Sequence, residues 1–155
     1  MRPAVLVSLC LLGAACRYDG RDNAIGLNGL TDRCEMIPVC PEQLGGLPTP
    51  RMPCERREDR VIARDGRDVT AAFRRGAEQA ARLADRFGVR YALLKARSPS
   101  CGVWEIYDGT FSGTVIPGMG VTAQTLMDMG IAVFDEHHID DLIGVLDAER
   151  MNGHG

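Results

Sequence analysis

Short runs of apolar residues recur along the chain and predict the strands of a buried sheet. The clearest runs are residues 4–9 (AVLVSL), 35–39 (EMIPV), 90–95 (RYALLK) and 131–134 (IAVF). Each lies next to polar or turn-forming residues, which is typical of strand boundaries.

The clearest helical pattern covers residues 69–87. Its apolar positions recur at helical spacing and form one stripe: Phe73, Ala77, Ala80, Ala84 and Phe87. Asp68 or Thr70 can cap the start, and Gly88 can end the helix.

Further helices are predicted over 121–129 and 139–150, with at most a short helix near 24–32. Strands separated by helices predict a three-layer, Rossmann-like α/β domain with a mostly parallel sheet. The whole chain, residues 1–155, is expected to form a single domain with a disordered tail over 151–155.

Three segments break these patterns. Residues 40–54 (CPEQLGGLPTPRMPC) hold four prolines and a Gly-Gly pair, which predicts a shaped loop without regular structure. Residues 55–67 are strongly charged and are expected to face solvent, and residues 97–120 are rich in glycine and proline. Long loops inside a small domain are usually functional or disordered, and the prolines favour a functional loop here.

Composition and charge narrow the class of protein. The net charge of −3 and the pI near 5.6 argue against a surface built for nucleic acid. Residues 1–16 resemble an export signal, with Cys16 in the position of a lipoprotein cysteine. Pro3, Ser8 and Cys10 fit such a signal poorly, so we favour a first buried strand and a cytoplasmic protein without a membrane segment.

Three of the six cysteines follow predicted strands. Cys10 ends the first strand, Cys40 ends the second, and Cys101 lies in the loop that leaves the third. The carboxyl ends of parallel strands meet at one edge of a sheet, where ligands bind, so these thiols are expected to converge. A single cysteine is more often a small buried apolar residue, but three at strand ends favour a metal or redox site.

The spacing of the cysteines excludes the familiar local motifs. No two cysteines are separated by two residues, which excludes a zinc ribbon, a thioredoxin-like pair and a ferredoxin run. A site built from these cysteines therefore depends on tertiary structure.

Longer motifs point to a family. In order along the chain, VSLCLLGAACRYDG, IPVCPEQLGGLPTPR, ARSPSCG, IYDGTFSG and IPGMGVTA closely resemble the thiouracil desulfurase family. The resemblance implies a 4Fe–4S cluster held by Cys10, Cys40 and Cys101, with one iron left open for the substrate. It also implies non-redox removal of sulfur from a thiolated pyrimidine, such as 2-thiouracil or a related nucleotide, with release of hydrogen sulfide.

The resemblance also implies two catalytic residues. Glu42 is expected to activate the attacking water or to shuttle its proton, and Ser98 to hydrogen-bond to the ring or to the leaving sulfur. Without the resemblance, Glu42 fits the start of a helix equally well and Ser98 is a turn residue. The expected substrate-binding residues are Gly45, Gly46, Arg51, Ser100 and Trp104.

Some reactive residues receive no role in this interpretation. Cys34 and Cys54 are expected to be packed residues, and Cys16 is left out of the site. His137 and His138 adjoin the last strand, where neighbouring side chains face opposite sides, and are also left unassigned.

Two other classes of protein stay open at this point. One is a non-catalytic iron–sulfur or zinc-binding module for redox sensing or sulfur transfer, and the other is an exported lipoprotein anchored through Cys16. For the enzyme, the expected partner is a small molecule, without nucleic acid or membrane, and the protein is a monomer or a homodimer.

Overall fold

The computed structural model describes residues 2–154. The strands and helices, in chain order, are β1 (Ala4–Ser8), β2 (Glu35–Val39), α1 (Pro41–Leu44), β3 (Cys54–Arg57), β4 (Arg60–Ala63), α2 (Thr70–Arg86), β5 (Tyr91–Leu94), β6 (Glu105–Tyr107), β7 (Val115–Pro117), α3 (Val121–Asp128), β8 (Ala132–Asp135) and α4 (Ile139–Glu149). Short 3₁₀ turns follow β1 at Leu9–Leu12, precede β2 at Leu30–Asp32 and follow β8 at Glu136–His138.

The central sheet has four strands in the order β2-β1-β5-β8, and every pairing is parallel. All four strands were predicted from the apolar runs. The chain leaves β1 toward β2 on one side and later returns to place β5 on the other side. This reversal between β1 and β5 is the position where open α/β sheets bind ligands.

Helices cover both faces of the sheet, as predicted. In β1, Leu6 packs on the face that α2 and α3 cover, whereas Val5 and Val7 pack toward α4. The same alternation occurs in β5, where Leu93 faces α4 and Leu94 faces the other side. This period of two follows from the pleat of a strand, and the three-layer α/β class is confirmed.

The predicted stripe of α2 is buried, with Phe73, Ala80 and Ala84 almost fully so, and Ala80 and Ala84 belong to the core on that face of the sheet. Phe87 is an exception, since it follows the last helical turn and is 53% exposed. Asp68 caps the start from outside the helix: its Oδ1 accepts hydrogen bonds from the backbone N–H and the hydroxyl of Thr70.

The segments predicted as irregular contain more structure than expected. The loop over 40–54 begins with α1, because Pro41 suits the first position of a helix. The charged segment 55–67 is largely the hairpin β3–β4, and Val61 in it is fully buried. The loop over 97–120 contains the hairpin β6–β7. Conversely, the predicted helix near 24–32 is only the 3₁₀ turn at Leu30–Asp32.

The two ends of the chain bear on the remaining expectations. The apolar segment that resembled an export signal forms β1 in the middle of the sheet. At the other end, Arg150–His154 form a π-helical turn after α4, while Gly155 of the expected disordered tail lies outside the described residues. Within residues 2–154, none of the helices is both long and apolar enough to cross a bilayer.

Candidate active site

A cavity of about 740 Å³ opens at the carboxyl edge of the parallel sheet. Its floor is formed by residues at the ends of β1, β2, β5 and β8, and the two hairpins contribute to its walls. The cavity therefore lies at the reversal of strand order, where the fold places a ligand.

All three strand-end cysteines line this cavity as free thiols. Cys10 lies in the 3₁₀ turn after β1, and its carbonyl accepts hydrogen bonds from the backbone N–H groups of Gly13 and Asn23. Cys40 lies between β2 and α1, where it is the N-cap residue of that helix. Cys101 lies in the loop after β5 and is only 5% exposed. The structure thus places all three cysteines in the lining of one cavity, as the strand-end rule predicted.

Cys16 also belongs to this cavity, which the sequence interpretation did not expect. Cys54, at the start of β3, lines the cavity as well. Cys34 lies elsewhere, buried in the core beneath α4, where its thiol donates to the carbonyl of Leu30. The expectation that Cys34 is a packed residue fits this position.

Burial raises the pKa of three of the cavity thiols. Burial, followed by the charges of Cys40 and Cys10, raises the pKa of the Cys16 thiol to about 12. Burial also raises the pKa of Cys101 to about 12 and shifts that of Cys10 upward. Desolvation disfavours a lone thiolate in such a site. Metal binding needs thiolates and would therefore release protons.

Glu42 lies in the first turn of α1 and lines the cavity beside Cys40. Within the described part of the chain, its carboxylate receives one hydrogen bond, from Nε of Arg51 to Oε1 at 3.1 Å. Arg51 also donates to the hydroxyl of Thr49 and to the carbonyls of Pro48 and Cys16. Arg51 thus mainly stabilises the loop through these hydrogen bonds. It leaves Oε2 of Glu42 available to the cavity.

Ser98 lines the cavity from the loop that carries Cys101. Its hydroxyl oxygen accepts hydrogen bonds from the backbone N–H groups of Ser100 and Cys101, at 3.1 and 3.0 Å. A hydroxyl has two acceptor positions and one donor hydrogen. Because both acceptor positions are occupied, the hydroxyl of Ser98 can only donate to a ligand.

Four of the expected substrate-binding residues do not line the cavity. Gly45 and Gly46 lie at the end of α1, where Gly45 packs closely against α2. Ser100 is buried behind Cys101 and shares a hydrogen bond with the hydroxyl of Thr122. Trp104 is 53% exposed, and its ring lies 5.7 Å from that of His138.

Other lining residues went unrecognised in the sequence. Lys95 follows β5, Glu136 follows β8, and their side chains form an ion pair at 2.8 Å. Both could have been found by the strand-end rule that located the cysteines. His137 lines the cavity, and Nδ1 of His138 donates to Oδ1 of Asp135. Both histidines lie in the 3₁₀ turn after β8 and not in the strand, so their side chains are not required to face opposite sides.

Comparisons with known proteins agree with this geometry. The chain matches the family model described as 2-thiouracil desulfurase over residues 5–138. It is 39% identical to the uncharacterized protein YbbK of Bacillus subtilis (strain 168) over 90% of this chain and 99% of that protein. It is 44% identical to the solved structure of a [4Fe-4S]-dependent thiouracil desulfidase, TudS, with a TM-score of 0.91 over 95% of this chain and 99% of that one. The chain therefore belongs to the 2-thiouracil desulfurase family.

Proposed function

We propose that this protein replaces the sulfur of a thiolated pyrimidine, such as 2-thiouracil, by oxygen. Water supplies the oxygen, the C=S group becomes C=O, and the sulfur leaves as hydrogen sulfide without any change of redox state. The observation that carries the proposal is the convergence of Cys10, Cys40 and Cys101 on one cavity. Membership of the family favours this enzyme over a non-catalytic metal-binding module.

The donor set suits an iron–sulfur cluster. Thiolates are the ligands that such clusters use in proteins, and the cavity offers unpaired thiols from three separate strand ends. Among the side chains that the structure describes, no three His, Cys, Asp or Glu residues surround one point closely enough to hold a single metal ion. We propose that Cys10, Cys40 and Cys101 hold a 4Fe–4S cluster and that its fourth iron has no protein ligand.

The free state of all six cysteines supports a cytoplasmic location.

When bound, the cluster would supply a Lewis-acidic iron for the thiocarbonyl sulfur of the substrate. In the proposed reaction, Glu42 accepts a proton at Oε2 from the water that attacks the ring carbon. Its other oxygen is fixed by Arg51, so the carboxylate is oriented before the substrate arrives. A carboxylate placed in this way is suited to general base catalysis.

Ser98 is proposed to donate its hydroxyl hydrogen to the substrate. Its two acceptor positions already hold the turn that carries Cys101, so the direction of the hydrogen bond is fixed. A donor next to the reacting carbon stabilises negative charge that develops on the ring during attack.

The function is tested by purification under nitrogen, followed by iron and sulfide analysis and by an assay with 2-thiouracil. We expect bound iron, loss of the thiouracil absorbance and release of one sulfide for each uracil formed. An iron-free protein after reconstitution, or a loaded protein that releases no sulfide from 2-thiouracil, would refute the proposal.

The ligand set is tested by single Cys→Ser variants. We expect Cys10→Ser, Cys40→Ser and Cys101→Ser to lose bound iron and Cys16→Ser to keep it. Cys16 is the sharpest comparison because it lines the same cavity as the three proposed ligands. Loss of iron from Cys16→Ser would instead indicate four cysteine ligands and no open iron.

Glu42→Gln separates catalysis from cluster binding. The amide oxygen can still accept the hydrogen bond from Arg51, so the loop should stay in place. We expect unchanged iron content and a turnover that falls by about 100-fold or more, the usual cost of losing a general base. The matched control is Glu58→Gln, which replaces an exposed residue in the turn of the β3–β4 hairpin. Turnover of Glu42→Gln that equals the wild type would remove Glu42 from the reaction.

A further inference from the structure

The loop between β6 and β7, residues 108–114, forms one wall of the cavity and carries Phe111 into its lining. The backbone of Phe111 has a φ of +57°. This left-handed conformation is uncommon for a bulky side chain, and it persists only where the surroundings enforce it. The backbone of Phe111 is therefore held by contacts that compensate for its unfavourable conformation, and this sets where the side chain starts.

A buried carboxylate provides those contacts. Glu55 in β3 is only 9% exposed, and its Oε1 accepts hydrogen bonds from the backbone N–H groups of Gly109 and Phe111, at 3.0 and 3.1 Å. Arg57 on the same strand donates to the carbonyl of Gly109. The loop is also tied internally, because Asp108 accepts from the backbone N–H of Thr110. Hydrogen bonds to an ionised acceptor are among the stronger ones in proteins.

Phe111 differs from the other aromatic residues of the cavity. Among the described residues that line it, the six-membered aromatic side chains are Tyr18, Tyr107 and Phe111. Tyr18 is 40% exposed, and both tyrosines carry a polar hydroxyl on the ring. Phe111 offers an apolar ring, against which the guanidinium group of Arg64 lies at 5.7 Å from the ring centroid. A flat apolar ring fixed in this way is suited to stack on a flat heterocycle.

We propose that Phe111 contacts the pyrimidine ring of the substrate and that Glu55 is the positioning residue that holds it there. This inference rests on the proposed function, because it needs a pyrimidine in the cavity. Phe111 then contributes to the choice of substrate by shape and stacking, whereas Glu42 and Ser98 act on the reacting group. Glu55 also lines the cavity, and the role assigned to it is to hold the loop through the two N–H hydrogen bonds that its Oε1 accepts.

The test uses the cluster-loaded protein and measures the affinity for uracil, by calorimetry and as a competitive inhibitor of 2-thiouracil turnover. We expect Phe111→Leu to weaken uracil binding and to raise KM by about 3- to 10-fold, with kcat changed less than twofold. Phe111→Tyr keeps the ring and should bind uracil within twofold of the wild type. Unchanged uracil affinity in Phe111→Leu would overturn the proposal.

Glu55→Ala tests the positioning role, with Glu58→Ala as the control on the same hairpin. We expect Glu55→Ala to weaken uracil binding about 3- to 10-fold and Glu58→Ala to leave it unchanged. Glu55→Gln, whose amide oxygen can still accept both hydrogen bonds, should bind uracil within about twofold of the wild type. Because Glu55 acts through Phe111, adding Glu55→Ala to Phe111→Leu should weaken binding by no more than a further twofold. If the double variant instead loses affinity by the product of the two single losses, Glu55 acts independently of Phe111. That result would overturn its assigned role.

The two proposals fail in distinguishable ways. A wild-type protein that binds uracil but releases no sulfide from 2-thiouracil refutes the proposed function and leaves the role of Phe111 measurable by calorimetry. A wild-type protein that turns over 2-thiouracil, with Phe111 variants that bind uracil equally well, refutes only the present inference. A wild-type protein that neither binds uracil nor releases sulfide from 2-thiouracil refutes both proposals.

Discussion

The contact between α1 and α2 gives the sharpest test of how the scaffold positions the site. Gly76 in α2 faces the backbone of α1, and a Cβ atom at this position would lie 1.9 Å from the carbonyl oxygen of Pro41. Gly45 faces α2 in the same way, with a Cβ position 2.1 Å from the carbonyl oxygen of Ala72. The two glycines let α1, which carries Glu42 and follows Cys40, lie directly on α2.

Gly76→Ala should therefore displace the site. Side-chain carbons essentially never come within 3.0 Å of such an atom, so the carbonyl of Pro41 must move by about 1.1 Å. Overpacking of this kind costs about 1–3 kcal/mol, and the better helix propensity of alanine returns about 1 kcal/mol. We expect a net loss near 1 kcal/mol and a thermal midpoint lower by about 2–4 °C. A displacement of this size at Glu42 should lower turnover by about 100-fold.

The assay combines thermal unfolding with 2-thiouracil turnover per bound iron, and Gly144→Ala is the matched control. Gly144 lies in α4 with no atom within 4 Å of its Cβ position. The same substitution there should raise the midpoint by about 2–4 °C and leave turnover unchanged. If Gly76→Ala also stabilises the protein and keeps full turnover, the close approach of the two helices does not position α1.

Two further predictions concern residues outside the cavity. Hydrogen bonds from Thr70, together with Arg60, lower the pKa of Asp68 from 3.8 to about 2. Its stabilising effect is therefore present above about pH 3.8 and is lost as the pH falls toward 2, so the difference in thermal midpoint between the wild type and Asp68→Asn should vanish across that range. Cys34→Ser should keep full iron content and turnover but unfold at a lower temperature, because it replaces the larger, less polar sulfur in the core beneath α4. Loss of iron from Cys34→Ser would contradict its assignment as a packed residue.

The sheet could be predicted from the sequence because its strands are short, apolar and well separated. The two hairpins could not, because their composition hides their burial. In β3–β4, Glu55 and Val61 point inward among charged neighbours, so the segment resembles an exposed loop. The inward position of Glu55 is explained by two backbone N–H groups that lie more than fifty residues further along the chain.

The site was predictable to the extent that it follows the ends of strands. Cys10, Cys40 and Cys101 are located by that rule, and it would also have located Lys95 and Glu136. The positions of the remaining residues depend on contacts that a linear pattern does not contain.

Two residues illustrate such contacts. Cys16 reaches the cavity from the loop that follows the 3₁₀ turn Leu9–Leu12, where Arg51 donates to its carbonyl at 3.0 Å. Trp104 lies in a segment between two lining loops, yet its side chain turns outward.

The arrangement of the strands also dictates when the protein can acquire its cofactor. Cys10 and Cys101 become neighbours only through the pairing of β1 with β5, which requires most of the chain to have been synthesised and folded. In zinc fingers the metal drives folding, whereas here the pairing of β1 with β5 brings the two thiols together. We therefore expect the proposed cluster to be inserted after the sheet has formed.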